Sequence, residues 1–210
     1  MEAPMVRKVV PEQHEGKRQE ILAAAHRCFL RQGLQGASIS MICKEAGMSP
    51  GHLYHYFPSK DAIVEQIADD YLTTLHAHFN AHAEDEPTAT VLLSELWSMN
   101  GWDDLAHCRI TFELLAEAGR NENIRKIMID NTDSVRQLLS ETLKAGQARG
   151  DVDAGFDPDQ TSAVLVSILY AAPMLPLIAT DVDFDESRNL IAAMIRRFLQ
   201  PSKEVLCAIG

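Results

Sequence analysis

The stretch SISMICKEAGMSPGHLYHYF, residues 38–57, constrains the fold more than any other part of the chain. It reads as two short helical segments on either side of Gly47, with Ser38 as a candidate N-cap of the first. Apolar or small residues fall at Ile42, Ala46, Met48, Leu53 and Tyr56, and the small Cys43 faces the crossing. Two helices can then cross steeply at close range, with a glycine taking the left-handed turn between them. Pro50-Gly51 would ordinarily mark a loop. Here Ser49 can cap a helix and Pro50 can take its first position, where a missing N–H costs nothing. The pair fits a helix start.

With Leu53 turned inward, Ser49, Pro50, Gly51, His52, His55 and Tyr56 are left at or near the surface. In a helix-turn-helix the N-terminal end of the second helix enters the major groove of DNA. Gly51 has no side chain, so the backbone can come close to bases or phosphate. His52 can hydrogen-bond a base edge, and Tyr54 and Tyr56 can donate to phosphates. Lys60, with the free N–H groups of the next helix, forms a further candidate anion site. Ser38 and Lys44 complete the candidate DNA-binding set. The competing reading is a plain helical corner whose aromatics pack inward, as Tyr54 and Phe57 can in part.

Residues 18–63, RQEILAAAHRCFLRQGLQGASISMICKEAGMSPGHLYHYFPSKDAI, resemble the N-terminal domain of TetR-family transcriptional regulators. The matching landmarks are Ala24, Ala25 and Phe29 in the first helix, Gly33, and the Ser38…Ile42…Ala46-Gly47-Met48-Ser49 run. Leu53-Tyr54-x-Tyr56-Phe57-x-Ser59-Lys60-Asp61 completes them. The resemblance implies a homodimeric repressor with one recognition helix per subunit, and a divergent C-terminal domain that binds a small inducer and dimerises. Carried over by position, Ser38, Ser49, Tyr54, Tyr56 and Lys60 fall on phosphate-contacting places. Pro50, Gly51, His52 and His55 fall where bases or backbone are contacted. Ser38 replaces the usual threonine, Cys43 stands where alanine is common, and Pro50 stands where a basic or polar residue is frequent. The last departure bears on operator sequence.

Net charge is -11, which taken alone argues against a nucleic-acid partner. The charge is unevenly placed. Residues 1–60 hold 8 Lys and Arg against 5 Asp and Glu, a balance of +3, and residues 61–210 hold 11 against 25, a balance of -14. A mildly basic head on an acidic body is expected if only the head meets phosphate. Cys28, Cys43, Cys108 and Cys207 are far apart and form no Cys-x-x-Cys, which points to reduced thiols in a cytoplasmic protein. No apolar run approaches the ~18 residues of a membrane span, and the N-terminus lacks an apolar signal region.

The rest of the chain reads as helix throughout, giving an all-α fold: a three-helix DNA-binding domain plus a larger helical ligand-binding and dimerisation domain. Residues 1–15 are expected to form a mobile arm, 16–60 the DNA-binding domain and 61–210 the second domain. The first helix runs from about Gly16 to Gln32 on Ile21, Leu22, Ala25, Cys28 and Phe29, and Gly33 ends it. Ser59 caps a long helix with the stripe Ile63, Ile67, Tyr71, Leu75 and Phe79. Pro87 opens another, which carries Leu92, Leu93, Leu96 and Trp97. Residues 102–119 form the next, and Asn123 is expected to cap a helix reaching about Gly146. Asp157, Pro158 and Gln160 mark the start of an apolar helix over about 158–178, interrupted by Pro173 and Pro176. A last helix covers about 185–199.

Trp97, Met99, Trp102, His107, Phe112, Glu113, Tyr170 and Met174 are the candidate walls and polar handles of an inducer pocket. Each fits ordinary core equally well. The last two helices are too apolar for a free surface and suit an intersubunit four-helix bundle, with packing inside one subunit as the alternative. His76, His78 and His82 lie on the long helix, and His78 and His82, four apart, share a face able to chelate a metal. That motivates the alternative of a small helical metal-binding protein or enzyme, against solvated surface histidines. A helical adaptor that binds only protein is a third reading. Cys108, beside Arg109, is a candidate redox thiol. No phosphate loop, Gly-x-Ser-x-Gly or His-Glu-x-x-His motif is present, so no catalytic residue, metal or cofactor is expected.

Overall fold

The computed structural model describes residues 11–82, 86–98, 105–179 and 181–201, and among these every regular element is helical. The chain divides into two compact units, Met1–Ile67 and Ala68–Gly210.

In the first unit, α1 (Pro11–Gly36) is followed by α2 (Ile39–Glu45), α3 (Pro50–Tyr56) and the start of α4 (Lys60–His82). α1 begins at Pro11, ahead of the Gly16 start that periodicity gives and inside the segment read as an arm. Proline is well suited to a first helical turn, because that N–H has no intrahelical partner anyway. The helix breaks at Gly33 (φ 73°, ψ 170°), where a side chain would be strained, and the Ala37 N–H returns to the Gly33 carbonyl at 3.1 Å. Ile21, Leu22, Ala25, Cys28 and Phe29 of α1 are buried, as are Ile42, Leu53, Phe57 and Ile63, and α2 packs against α1 and α3. Each of the short helices thus donates its apolar side to α1 or α4 rather than standing on its own propensity.

The second unit comprises the rest of α4, α5 (Thr88–Ser98), α6 (Leu105–Ala118), α7 (Glu122–Arg149), α8 (Pro158–Ala171), α9 (Leu175–Ile178) and α10 (Phe184–Leu199). α7 is its spine and packs against α5, α6 and α8. Asn121, not Asn123, caps it: the Asn121 carboxamide oxygen accepts from the Asn123 and Ile124 N–H groups at 3.0 and 3.3 Å. α7 also runs past Gly146 to Arg149 and ends at Gly150 (φ 81°). Gly146 is buried inside the helix because Thr88, Val152 and Asp151 lie where its side chain would be. Asp157 caps α8 through the Asp159 and Gln160 N–H groups, and Pro158 takes the first position. The apolar segment that follows is not one helix. It passes through a 3-10 turn (Ala172–Met174) into α9, because Pro173 and Pro176 supply no N–H for the helical ladder.

The core of this unit gathers Leu75, Phe79, Val91, Leu93, Leu138, Leu139, Leu143, Leu165, Val166, Ile195 and Leu199. Tyr71, a member of the expected α4 stripe, is 36% exposed. Residues spaced by four drift about 40° per step around a helix of 3.6 residues per turn, so a five-member stripe cannot stay on one face.

Candidate nucleic-acid interface

The turn between α2 and α3 is built by local chemistry. Ser38 Oγ accepts from the Met41 N–H at 3.3 Å and caps α2. α2 closes through Ala46, and Gly47 adopts φ 65°. The Met48 N–H reaches back to the Cys43 carbonyl at 2.9 Å, which fixes the sharp corner. Ser49 Oγ then accepts from the His52 N–H at 3.3 Å, and Pro50 opens α3. Ile42, Cys43 and Leu53 are buried at the crossing, and burial pushes the Cys43 thiol up, so it stays protonated and serves as packing.

The corner leaves most of the sequence candidates accessible. Ser38, Lys44, Ser49, Pro50, Gly51, His52, Tyr54 and His55 are exposed, Tyr54 by 51%, and Tyr56 is half-buried. Nothing lies within 4 Å of a side chain built at Gly51, so its backbone is open to close approach. The exposed rings are ordered against one another: His52 lies 5.3 Å from Tyr56 between centroids, and His55 lies 5.5 Å from it.

Lys60 also has partners within the protein. Its ammonium donates to the Leu34 and Ala37 carbonyls at 2.9 and 3.3 Å, closing the end of α1. Its first duty is to join α4 to the α1–α2 turn, at backbone carbonyls just past the break at Gly33.

Two further side chains hold the recognition corner, and neither was singled out from the sequence. Arg18 donates to the Tyr56 carbonyl at 3.4 Å and to Gln66, and its guanidinium lies 4.6 Å over the Phe57 ring. It thereby staples the end of α3 to α1 and α4. Glu45 bridges α2 to α1 through Arg27 at 2.7 Å and through Arg31. Those two hydrogen bonds, Arg27 first, hold the Glu45 carboxyl below the usual carboxylate range. The opposite-charge pair at the sequence positions 27 and 45 carries no signal without knowing that α1 and α2 meet there.

In the second unit a cavity of about 470 Å³ is lined by Leu115, Ala118, Gly119, Arg125, Met128, Ile129, Thr132, Asp133 and Tyr170. The Thr132 and Tyr170 hydroxyls share a hydrogen bond of 2.9 Å in its wall. Among the described candidate pocket residues, Tyr170 is the one that belongs to this wall. Phe112, Glu113 and Met174 are half-buried elsewhere, and Glu113 pairs with Arg109 at 3.5 Å. The side chains of Trp97 and His107, and Met99 and Trp102 altogether, lie outside the described residues. Cys108 is buried, and Arg109 has its carboxylate partner in Glu113.

Of the α4 histidines, His78 and His82 lie with ring centroids 4.6 Å apart. His76 is exposed, the His78 ring is hydrogen-bonded to Ser94 Oγ at 2.8 Å, and His82 Nδ1 meets the His78 carbonyl at 2.8 Å. Among the described residues no group of three or more His, Cys, Asp or Glu is arranged to hold a metal ion. Likewise, among them no helix is long and apolar enough to cross a membrane.

A helix-turn-helix with polar and aromatic side chains exposed on it, in a chain whose described elements are all helical, defines a DNA-binding regulator. The chain belongs to the TetR family of transcriptional regulators, a family of regulators and not of enzymes. Residues 21–67 match the family of bacterial regulatory proteins of tetR type, and residues 101–200 match the C-terminal domain of BetI-type transcriptional repressors. The HTH-type transcriptional regulator UidR of Escherichia coli (strain K12) is 25% identical over 153 residues, which cover 73% of this chain and 78% of UidR. The structure of Salmonella enterica GusR, 26% identical, superposes with a TM-score of 0.72 over 93% of this chain and 99% of that one. A transcriptional regulator from Saccharomonospora viridis, solved in complex with choline, shares the fold at 19% identity and a TM-score of 0.72, over 89% of this chain and 98% of that one.

Proposed function

We propose that this regulator is a ligand-responsive repressor that binds a palindromic operator as a homodimer and is released by a small-molecule inducer. The observation that carries the DNA reading is the exposed side of the α2–α3 corner, where Ser49, Gly51, His52, Tyr54 and His55 stand free while Leu53 is fully buried. Ser38, Ser49, Tyr54 and Tyr56 position the phosphate backbone, Lys44 adds charge, and His52 and His55 read base edges. Pro50 and Gly51 let the helix start come close. Lys60 acts mainly by fixing the corner.

The dimer reading rests on apolar side chains left open on the last long helices. Val164 of α8 and Leu190, Met194 and Phe198 of α10 are 57%, 61%, 63% and 48% exposed. Leu190, Met194 and Phe198 recur at a spacing of four on one side of α10. A second copy of the same face would cover them in a two-fold four-helix bundle, setting two recognition helices about 34–36 Å apart or a multiple of it. The DNA-binding part then spans residues 16–60, and residues 61–210 bind the inducer and dimerise.

The inducer reading rests on the cavity walled by Leu115, Met128, Ile129 and the Thr132–Tyr170 hydroxyl pair, an apolar site with a few polar handles. The choline-bound relative supports a small molecule in such a helical body without naming this one's ligand.

Selection of bound fragments from a genomic DNA library tests the proposal. A two-fold symmetric site bound by a dimer, and released by at least one small molecule from a metabolite panel, is the expected result. Binding only as a monomer to sites without symmetry would overturn it.

A further inference from the structure

The beginning of α1 reaches the recognition corner. The His14 ring lies 4.7 Å from the Tyr56 ring between centroids, tilted by 38°, and 6.2 Å from the His55 ring, edge on. With His52 at 5.3 Å and His55 at 5.5 Å from the same tyrosine, three imidazoles from two helices surround one phenol ring. Two of the three, His52 and His55, are exposed, and His14 is half-buried.

We propose that His14 is a further DNA-contacting residue, and that His14, His52 and His55 form a proton-linked contact which tightens operator binding as the pH falls. The proposal rests on the reading of this corner as the DNA face.

An imidazole changes charge between about pH 5 and 8, and no other side chain does so without a perturbed environment. The groups around the array decide how it charges. From α1, Arg18 brings a permanent positive charge to the Tyr56 carbonyl, and Glu15 lies 3.7 Å from the Arg18 guanidinium. Lys17 and Glu20 pair with each other on the same helix. From α3 the Tyr56 phenol faces the array, and from α4 the uncharged Gln66 holds Arg18. Three imidazoles beside a guanidinium, with one carboxylate already engaged by it, repel one another when charged.

DNA supplies the missing counter-charge. Duplex DNA carries one phosphate charge for about every 1.7 Å of axis. A corner docked in the major groove places phosphates along both of its edges, so the charged imidazoles gain partners that free protein lacks. The complex binds more protons than the separate molecules, and linkage then requires affinity to rise as pH falls. The rise is about tenfold per pH unit for each proton taken up on binding. A second consequence is independent of the first. Each imidazolium that neutralises a phosphate releases a counterion, so the dependence of log K on log salt steepens by about 0.9 for each one.

His14 is the informative member because it lies outside α3 and outside residues 21–67, which match the family's DNA-binding model. His52 and His55 belong to the recognition helix, where an imidazole can act through uncharged hydrogen bonds alone. His14 stands at the edge of the array, against rings, with proton-linked charge as its distinctive contribution.

The test measures binding of the full-length protein to its selected operator fragment between pH 8 and pH 6, at several salt concentrations, by fluorescence anisotropy. Wild type is compared with His14→Gln, with the triple Gln variant at 14, 52 and 55, and with His76→Gln as a control in the second unit. Circular dichroism at both pH values checks that each variant is folded. The expected result is an affinity gain of about tenfold or more on going from pH 8 to pH 6 in wild type and His76→Gln, together with a steeper salt slope at pH 6. The gain is smaller in His14→Gln and absent in the triple variant, or in the His14/His55 double variant should the triple one fail to fold. An operator complex with equal affinity and equal salt slope at both pH values overturns the proposal, as does a gain that survives intact in His14→Gln. No DNA complex at any pH overturns instead the underlying reading of the corner as a DNA face.

Discussion

A single methyl group added at Gly146 tests how the C-terminal body is held together. A side-chain carbon built there lies 2.2 Å from Thr88 Oγ1, 2.6 Å from Val152 Cγ2 and 2.9 Å from Asp151 Oδ1. Thr88 cannot step aside freely, because it is fully buried and engaged on three sides. Its N–H donates to Asp151 Oδ2 at 2.7 Å, its hydroxyl donates to Asp151 Oδ1 at 3.1 Å, and Arg149 donates to its Oγ1 at 2.8 Å. The hydroxyl must retreat by roughly 1 Å to reach ordinary contact, and the knot joining α5 to the end of α7 opens. Overpacking of this kind costs about 1–3 kcal/mol. The broken hydrogen bonds add about 1 kcal/mol each, or more for those to the charged Arg149 and Asp151. Against this stands a gain of about 1 kcal/mol from replacing a helical glycine by alanine. The net expectation is a loss of about 2–4 kcal/mol. Urea unfolding of the full-length protein at fixed concentration, followed by circular dichroism, should show a midpoint lowered by about 1–2 M. In a Thr88→Ala background the closest clash is gone, so Gly146→Ala should cost less there than in wild type. A Gly146→Ala protein as stable as wild type, or strictly additive costs in the double variant, would refute the reasoning.

Other consequences concern the corner, the dimer face and acid stability. Lys60→Met removes the ammonium that closes the Leu34 and Ala37 carbonyls, so thermal unfolding should show a stability loss of about 2 kcal/mol, and a loss of operator affinity at unchanged stability would contradict that role. Met194→Lys puts a charge into the open apolar side of α10, and sedimentation equilibrium should find the dimer weakened at least about tenfold. Hydrogen bonds from Ser140 and then Lys144 hold the Asp159 carboxyl below its usual range. Its contribution to stability is therefore present at neutral pH and lost as pH falls through that lowered folded value. The stability gap between wild type and Asp159→Asn should accordingly narrow as the pH is taken down below the usual carboxylate range.

The parts of this molecule that were legible in the sequence are those decided by a few adjacent residues. Ser38, Ser49 and Asp157 cap the helices they were expected to cap, Pro50 opens α3, and Gly47 takes the left-handed turn, because each role depends on atoms two or three residues away. The buried side of the corner followed from spacing alone, since Ile42 and Leu53 must meet if two short helices cross at a glycine. Where long-range geometry decides, the sequence was silent or misleading. Gly146 reads as a stop signal, yet it lies inside α7 because Thr88, 58 residues earlier, needs the space. Asn121 and Asn123 are equally good caps by type, and only the oxygen that reaches two N–H groups chooses between them. Lys60 also reaches the end of α1, which its motif does not show, and Arg18 and His14 have no motif at all because their partners lie about forty residues away. Cavity walls such as Met128 and Ile129 carry the same helical spacing as core, so a pocket cannot be separated from packing by periodicity.

The central claim is that the exposed side of α3 reads an operator, and a competitive binding assay on a library of single-base operator variants tests it most directly. Wild type, His52→Ala and Tyr54→Phe are measured in parallel at two salt concentrations. The account predicts a salt-sensitive, sequence-selective complex in which Tyr54→Phe lowers affinity for every variant by a common factor. His52→Ala instead reorders the preferences at one base pair per half-site, by about 1–3 kcal/mol. A uniform loss for both substitutions, or the absence of any sequence-selective complex at micromolar protein, would contradict it.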